Sequence, residues 1–159
     1  RFLNTNKNLK DLEPNAIGPI IYPSHLGHIT AVKFEEIDLE QLHCRNLKGD
    51  AKSPETILIP LNKSIQYKAL PRNFGEYNDY ISHYRGYSLT DHYSVDRYKI
   101  LYKNLEYLKP PFQRDYIVVE KGECKDHYII IDGLHRASIL CYRGNKKVLV
   151  AVAEQRFIN

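Results

Sequence analysis

The sequence predicts an α/β (α+β) domain, a small mixed sheet with helices packed on it. Three observations lead there. Short apolar runs of strand length are separated by Gly, Pro and Asn turns. One stretch, Tyr98, Leu101, Tyr102, Leu105 and Leu108, repeats at helical spacing. The last third alternates in type, reading strand, turn, strand, helix, strand.

Taken in order, residues 1–28 carry Asn, Lys, Pro and Gly without periodicity and read as an N-terminal arm or linker, so the domain is expected over residues 29–159. ITAVKFEEIDLEQL (Ile29 to Leu42) predicts a short strand and turn, then a short helix or ordered loop. TILIPL (Thr56 to Leu61) predicts a second strand, ended or pushed to an edge by Pro60. Between Asn73 and Leu108 lie eight of the thirteen tyrosines. The first half of that segment, with Gly75 and Gly86, reads as a loop. The second half predicts an amphipathic helix, capped by Asp91 or Ser94 and stopped by Pro110-Pro111. Tyr116 to Glu120 and Tyr128 to Asp132 predict a hairpin around a turn at Lys121 to Asp126. Leu134 to Tyr142 predicts a helix closed by Gly144, and Lys147 to Glu154 a final strand. No internal repeat or heptad run is present.

Composition narrows the function classes. The chain has 159 residues, enough for one domain with a core, and 43% of them are hydrophobic. Its longest apolar runs, such as Val148 to Ala153, are too short to span a bilayer, and no secretory segment opens it. Three cysteines, Cys44, Cys124 and Cys141, make a poor disulfide framework and point to reduced thiols in the cytoplasm. The chain begins at Arg1 and contains no Met, as expected of an excised domain or trimmed product. A formal charge of +4 favours an anionic partner, whether phosphate, nucleotide or nucleic acid.

The stretch YIIIDGLHRASILCYRG, residues 128–144, carries the most chemistry. A strand hands over to a helix at Asp132-Gly133, and the first helical turn presents N–H groups with no intrahelical partner. Gly133 permits a sharp turn and close approach of a ligand. His135 and Arg136 add donors at that mouth, Arg136 with a fork suited to phosphate oxygens. Asp132 is placed to orient either one, or to help hold a metal ion. The motif therefore reads as an anion site, with polyphosphate the natural ligand. The plain alternative is an ordinary Asp-Gly turn with two solvated side chains.

The junction IDGLHRAS, set between the predicted hairpin and the helix ending at Gly144, resembles that of the ParB/sulfiredoxin superfamily. The likeness covers residues 29–154 in outline and is specific over about the last third. It implies a nucleotide-binding domain whose phosphates are cradled by Gly133, Leu134, His135 and Arg136. ParB proteins bind CTP with a Gly-Glu-Arg-Arg type sequence, which this chain lacks. Sulfiredoxins place a catalytic thiol where this chain has Leu134, and Cys141 lies two turns further on. The Asp-Gly-x-His-Arg pattern is closest to the free-serine-kinase-like branch. That likeness implies ATP or ADP with Mg²⁺, CTP as the alternative, and phosphoryl transfer to a small hydroxylated metabolite.

The kinase relatives take an acidic residue from the segment after the first strand. Glu35, Glu36, Asp38 and Glu40 fall there, with Glu40 favoured and Asp132 as the second catalytic candidate. Arg97 matches the position of a basic phosphate contact in sulfiredoxin-like proteins. The plain alternatives are solvated acids and a surface arginine. A ParB-like nucleotide switch acting on DNA and a non-catalytic accessory domain stand as competing functions. Nucleic acid is not favoured, because only one strand and a tail follow Gly144 where a DNA-binding domain would be needed. His25-x-x-His28 with Cys124-x-x-His127 offers a remote zinc set, and no metal site is assigned. Tyr77, Tyr80, Tyr84, Tyr87 and Tyr93 are candidates for a substrate-facing loop, whereas Tyr98 and Tyr102 belong to the core.

Overall fold

The computed structural model describes residues 6–8, 29–90, 92–108, 114–124 and 126–155. Its strands are β1 (Asn6–Asn8), β2 (Ile29–Asp38), β3 (Leu42–Lys48), β4 (Glu55–Pro60), β5 (Val118–Lys121), β6 (Tyr128–Asp132) and β7 (Lys147–Gln155). Its helices are α1 (Ile65–Lys68), α2 (Phe74–Tyr84), α3 (Val95–Asn104) and α4 (Leu134–Tyr142). The strands form one mixed sheet in the order β1-β2-β7-β5-β6-β3-β4, so the chain is α/β as predicted. Parallel pairing occurs between β5 and β7 and between β3 and β6, and the other neighbours are antiparallel.

The sheet cannot be flat. From β2 to β3 there are four strand spacings, about 19 Å in a flat sheet. Only the 3₁₀ turn Leu39–Gln41 joins them, and that connection reaches about 14 Å at most. Both strands also run the same way, so a flat sheet would demand a return along a full strand length. The sheet therefore coils until β3 continues the line of β2. Tyr128 on β6 shows the result: its hydroxyl donates to Glu35 Oε1 on β2 at 3.0 Å, although three spacings separate the strands. The backbone N–H of Asp38 donates to Gln41 Oε1 at 2.9 Å, and Leu39 N–H donates to the Lys146 carbonyl at 2.9 Å, pinning the bend.

Inside the coil lies the main core, with Ile37, Leu42, Cys44, Ile117, Val119, Ile130, Val148 and Val150. The other sheet face buries Val32, Phe34, Tyr116, Val118, Ala151 and Ala153. Alternation along β7 divides Val148, Val150 and Val152 from Ala151 and Ala153 on these two faces, as a period of two requires. A third cluster joins Leu70, Phe74, Tyr77, Ile81 and Tyr98 to Ile139. Helix α4 is shared: Ala137 and Leu140 face the coil, and Ile139 faces α2 and α3.

Several expectations are corrected. The predicted loop after Asn73 is helix α2, because Phe74, Tyr77, Ile81 and Tyr84 lie at i, i+3, i+7 and i+10 and all are buried. Tyr77 and Tyr84 are thus core residues and no part of a substrate-facing loop, while Tyr87 is 59% exposed. The short helix or ordered loop expected at the end of Ile29 to Leu42 is the 3₁₀ turn Leu39–Gln41, and strand β3 follows it where no element was predicted. Its inward positions are Leu42, Cys44 and Asn46, and Asn46 bonds Gln66 and the Ile65 N–H on α1. The predicted helix ends at Asn104 instead of Leu108, because Arg143 takes the Tyr102 and Leu105 carbonyls at 2.7 and 2.8 Å. At its start, Ser94 accepts from Arg97 N–H, as one of the two predicted caps. Asp91 and Pro110-Pro111 lie outside the described residues, as does the arm apart from Asn6–Asn8, which pairs with β2. Strand β4 is an edge strand ending at Pro60, as predicted.

Past the end of α3, Tyr107 enters the sheet. Its hydroxyl donates to the Leu149 carbonyl at 2.7 Å and accepts from Ile117 N–H at 2.9 Å. Next to it, Ala151 N–H donates to the Ile117 carbonyl at 2.9 Å. The hydroxyl stands where the next rung of a parallel ladder would fall. Tyr107→Phe should therefore cost about 1–3 kcal/mol in urea unfolding, the penalty for two buried backbone groups left unpaired.

Candidate functional site

The Asp132 to Arg136 junction forms where β6 ends against the start of β5, with Val118 paired to Asp132. Gly133 has φ +99° and caps α4, a left-handed conformation that glycine alone adopts without strain. The first helical bond is Ala137 N–H to the Gly133 carbonyl at 2.8 Å. The N–H groups of Leu134, His135 and Arg136 precede it and open toward the mouth.

Consecutive helical side chains point about 100° apart, and this separates His135 from Arg136. His135 lies on the Ile139 side of α4, toward α2 and α3. Its Nε2 is hydrogen-bonded to the Tyr77 hydroxyl at 2.8 Å. Tyr93 stacks on the imidazole with ring centroids 5.4 Å apart, and the Tyr77 and Tyr98 rings meet it edge-on. Burial in this box, then the nearby His92 and Arg136 charges, lowers the His135 pKa from 6.5 to about 4. Burial likewise holds the Tyr77 hydroxyl above its ordinary range, so both partners are neutral at pH 7. His135 therefore supplies no positive charge to the mouth.

Arg136 points the other way. Nη2 donates to Asp132 Oδ2 at 3.2 Å. Nη1 is buried without a hydrogen-bond partner among the described residues. Its positive charge acts on the Tyr107 hydroxyl, which burial otherwise drives upward. Leu134, half-buried, packs against the coil interior.

The remaining candidates lie elsewhere. Arg97 is exposed on α3, and its Nη1 donates to His92 Nδ1 at 3.2 Å, on the Tyr93 side of the imidazole box. Glu40, in the bend after β2, is not brought to the junction. It lines a cleft of about 580 Å³ with Asp38, Leu61, Cys141, Gly144 and Lys146. That cleft opens at the C-terminal end of α4, so the nine-residue helix, about 13 Å long, separates Glu40 from the mouth. Burial, then the Glu40 charge, raises the Cys141 thiol pKa. Glu35 is occupied by Tyr128, whose own pKa burial and that carboxylate push up to about 12.

Among the described residues no group of three or more His, Cys, Asp or Glu side chains could hold a metal ion. His127 stacks on His43 at 4.3 Å, while His25 and His28 lie outside the described residues. No described helix is long and apolar enough to cross a membrane.

Sequence reasoning offered Tyr77 and Tyr93 only as substrate-facing residues, missed Tyr107, and foresaw none of their contacts with His135 and Arg136. The one available signal was the number of tyrosines between Asn73 and Leu108, which does not reveal their partners. Fold and site together define a mixed α/β domain with a glycine-turned, arginine-bearing helix mouth. No family model, curated protein or solved structure matches the chain.

The neutral His135 has a consequence for stability. Between pH 6.5 and about 4 the unfolded chain binds a proton that the folded imidazole refuses, so stability falls as pH falls across that window. Above it the contribution is constant, and below it both states are protonated. His135→Gln should flatten the pH dependence of unfolding by roughly 2–3 kcal/mol over the window, measured by urea titration against the unsubstituted chain.

Proposed function

We propose that this chain binds the phosphates of a nucleotide, ATP or ADP with Mg²⁺ ahead of CTP, at the N-terminus of α4. In this reading it serves phosphoryl transfer to a small hydroxylated metabolite. One observation carries the binding part: the Arg136 guanidinium holds a buried Nη1 donor with no acceptor, beside the free N–H groups of the first helical turn. A buried donor without a partner is costly, and a phosphate oxygen would satisfy it once the guanidinium turns out from over Gly133, where Nη1 is closed to solvent. The backbone donors and the helix dipole favour the same ligand charge. The resemblance of IDGLHRAS to ParB/sulfiredoxin junctions supports the same assignment.

Transfer also needs a group to position or deprotonate the acceptor hydroxyl. Of the two carboxylates named for that task, Asp132 stands at the mouth and Glu40 stands beyond the far end of α4. This distance favours a second reading, a nucleotide-binding or accessory domain without catalysis.

A thermal-shift panel of ATP, ADP, CTP and GTP with Mg²⁺ tests the assignment. Ligand at 100 times its Kd should stabilise the native chain by about 2.7 kcal/mol. ATP or ADP should raise the Tm of the unsubstituted chain and leave that of Arg136→Ala unmoved. A shift with CTP alone would favour the ParB-like switch. No shift with any nucleotide would overturn phosphate binding and leave the accessory domain.

A further inference from the structure

Arg136 does not project freely from the mouth. It lies back over Gly133, where a Cβ would come within 3.1 Å of Nη2 and 3.2 Å of Cζ. Gly133 is needed for its positive φ, and a Cβ there would crowd Ile117 Cγ1 at 3.0 Å as well as the guanidinium. The bond that holds Arg136 there is single and long: 3.2 Å, against about 2.7–2.9 Å for charge-assisted N–H···O contacts. The Asp132 side chain is 47% exposed and that of Arg136 only 16%. An exposed carboxylate therefore holds a mostly buried guanidinium through Nη2, while the other terminal nitrogen, Nη1, has no acceptor among the described residues.

We propose that Asp132 is an internal counter-anion that occupies Arg136 until a phosphate group displaces it, and so sets which anions the mouth accepts. This rests on the phosphate-binding reading above. A monocarboxylate offers Arg136 little that Asp132 does not already supply. With Arg136 turned out from over Gly133, a terminal phosphate or a pyrophosphate can engage both terminal guanidinium nitrogens and the helix N–H groups together, so it displaces Asp132 where a carboxylate does not. Asp132 is then a specificity-determining residue. The i,i+4 bond to Arg136 is single and long, so a ligand that supplies two acceptors can take its place.

The sign of the Asp132→Asn effect separates this role from others. A metal ligand or general base at Asp132 predicts weaker binding or slower turnover on substitution. A counter-anion predicts tighter binding, by roughly 5-fold for inorganic pyrophosphate measured by calorimetry, because a competing charge is removed. Equal or weaker binding by Asp132→Asn would overturn the gate. Undiminished pyrophosphate binding by Arg136→Ala would instead overturn the phosphate site itself. If Asp132→Asn folds poorly by circular dichroism, Asp132→Ser carries the same expectation. The unsubstituted chain gives an independent reading through the guanidinium ¹⁵N resonances of Arg136. Pyrophosphate should move them and acetate at equal concentration should not; equal movement by both contradicts the gate.

Discussion

The bend at Leu39–Gln41 constrains everything else. Three residues cannot carry the chain across four strand spacings and back along a strand, so the sheet must coil. Coiling brings Ile37 and Leu39 into one core with Leu42 and Cys44, and lets Tyr128 reach Glu35. It also leaves an interior that a single helix can fill. Helix α4 packs into it, and the turn that follows the helix is tied to the bend through the bond from Leu39 to Lys146. Its N-terminus is thereby fixed at the opposite end, beside the start of β5 and the hydroxyl of Tyr107.

Because α4 is packed on both sides, its side chains are sorted by angle. Ala137 and Leu140 go to the coil, and Ile139 and His135 go to the helical layer. Arg136 falls between these faces and lies over Gly133 at the mouth. Two residues adjacent in sequence thus have opposite electrostatic characters. His135 is a neutral imidazole hydrogen-bonded to Tyr77, and Arg136 is a charged fork with one donor unused. The chemistry open to the mouth is the chemistry of Arg136, Asp132 and backbone N–H groups.

Much of the framework was legible in the sequence where apolar alternation is strong. Tyr128 to Asp132 and Leu134 to Tyr142 match the structure residue for residue, and the Asp-Gly junction falls where predicted. Strand β3 was hidden because Asn46 is an inward position satisfied by Gln66 and Ile65, a solution no local pattern reveals. Helix α2 was hidden because its buried face is largely aromatic and includes two tyrosines that composition alone does not mark as core. The position of Asp132, Gly133 and Arg136 at a strand end and helix start was legible in the local sequence. The inward turn of His135 was not, because it depends on rings from α2, on Tyr93 and on α3. Nor was the separation of Glu40, which follows from the coil and the length of α4.

The most direct test of the central claim is an amide ¹H–¹⁵N titration of the chain with ADP and Mg²⁺. Binding at the helix mouth should concentrate the shifts on Gly133, Leu134, His135 and Arg136, with Glu40, Cys141 and Gly144 unmoved. Shifts centred on the Glu40 cleft instead, or none at the junction under saturating ADP, would contradict the assignment of α4 as a phosphate-binding helix.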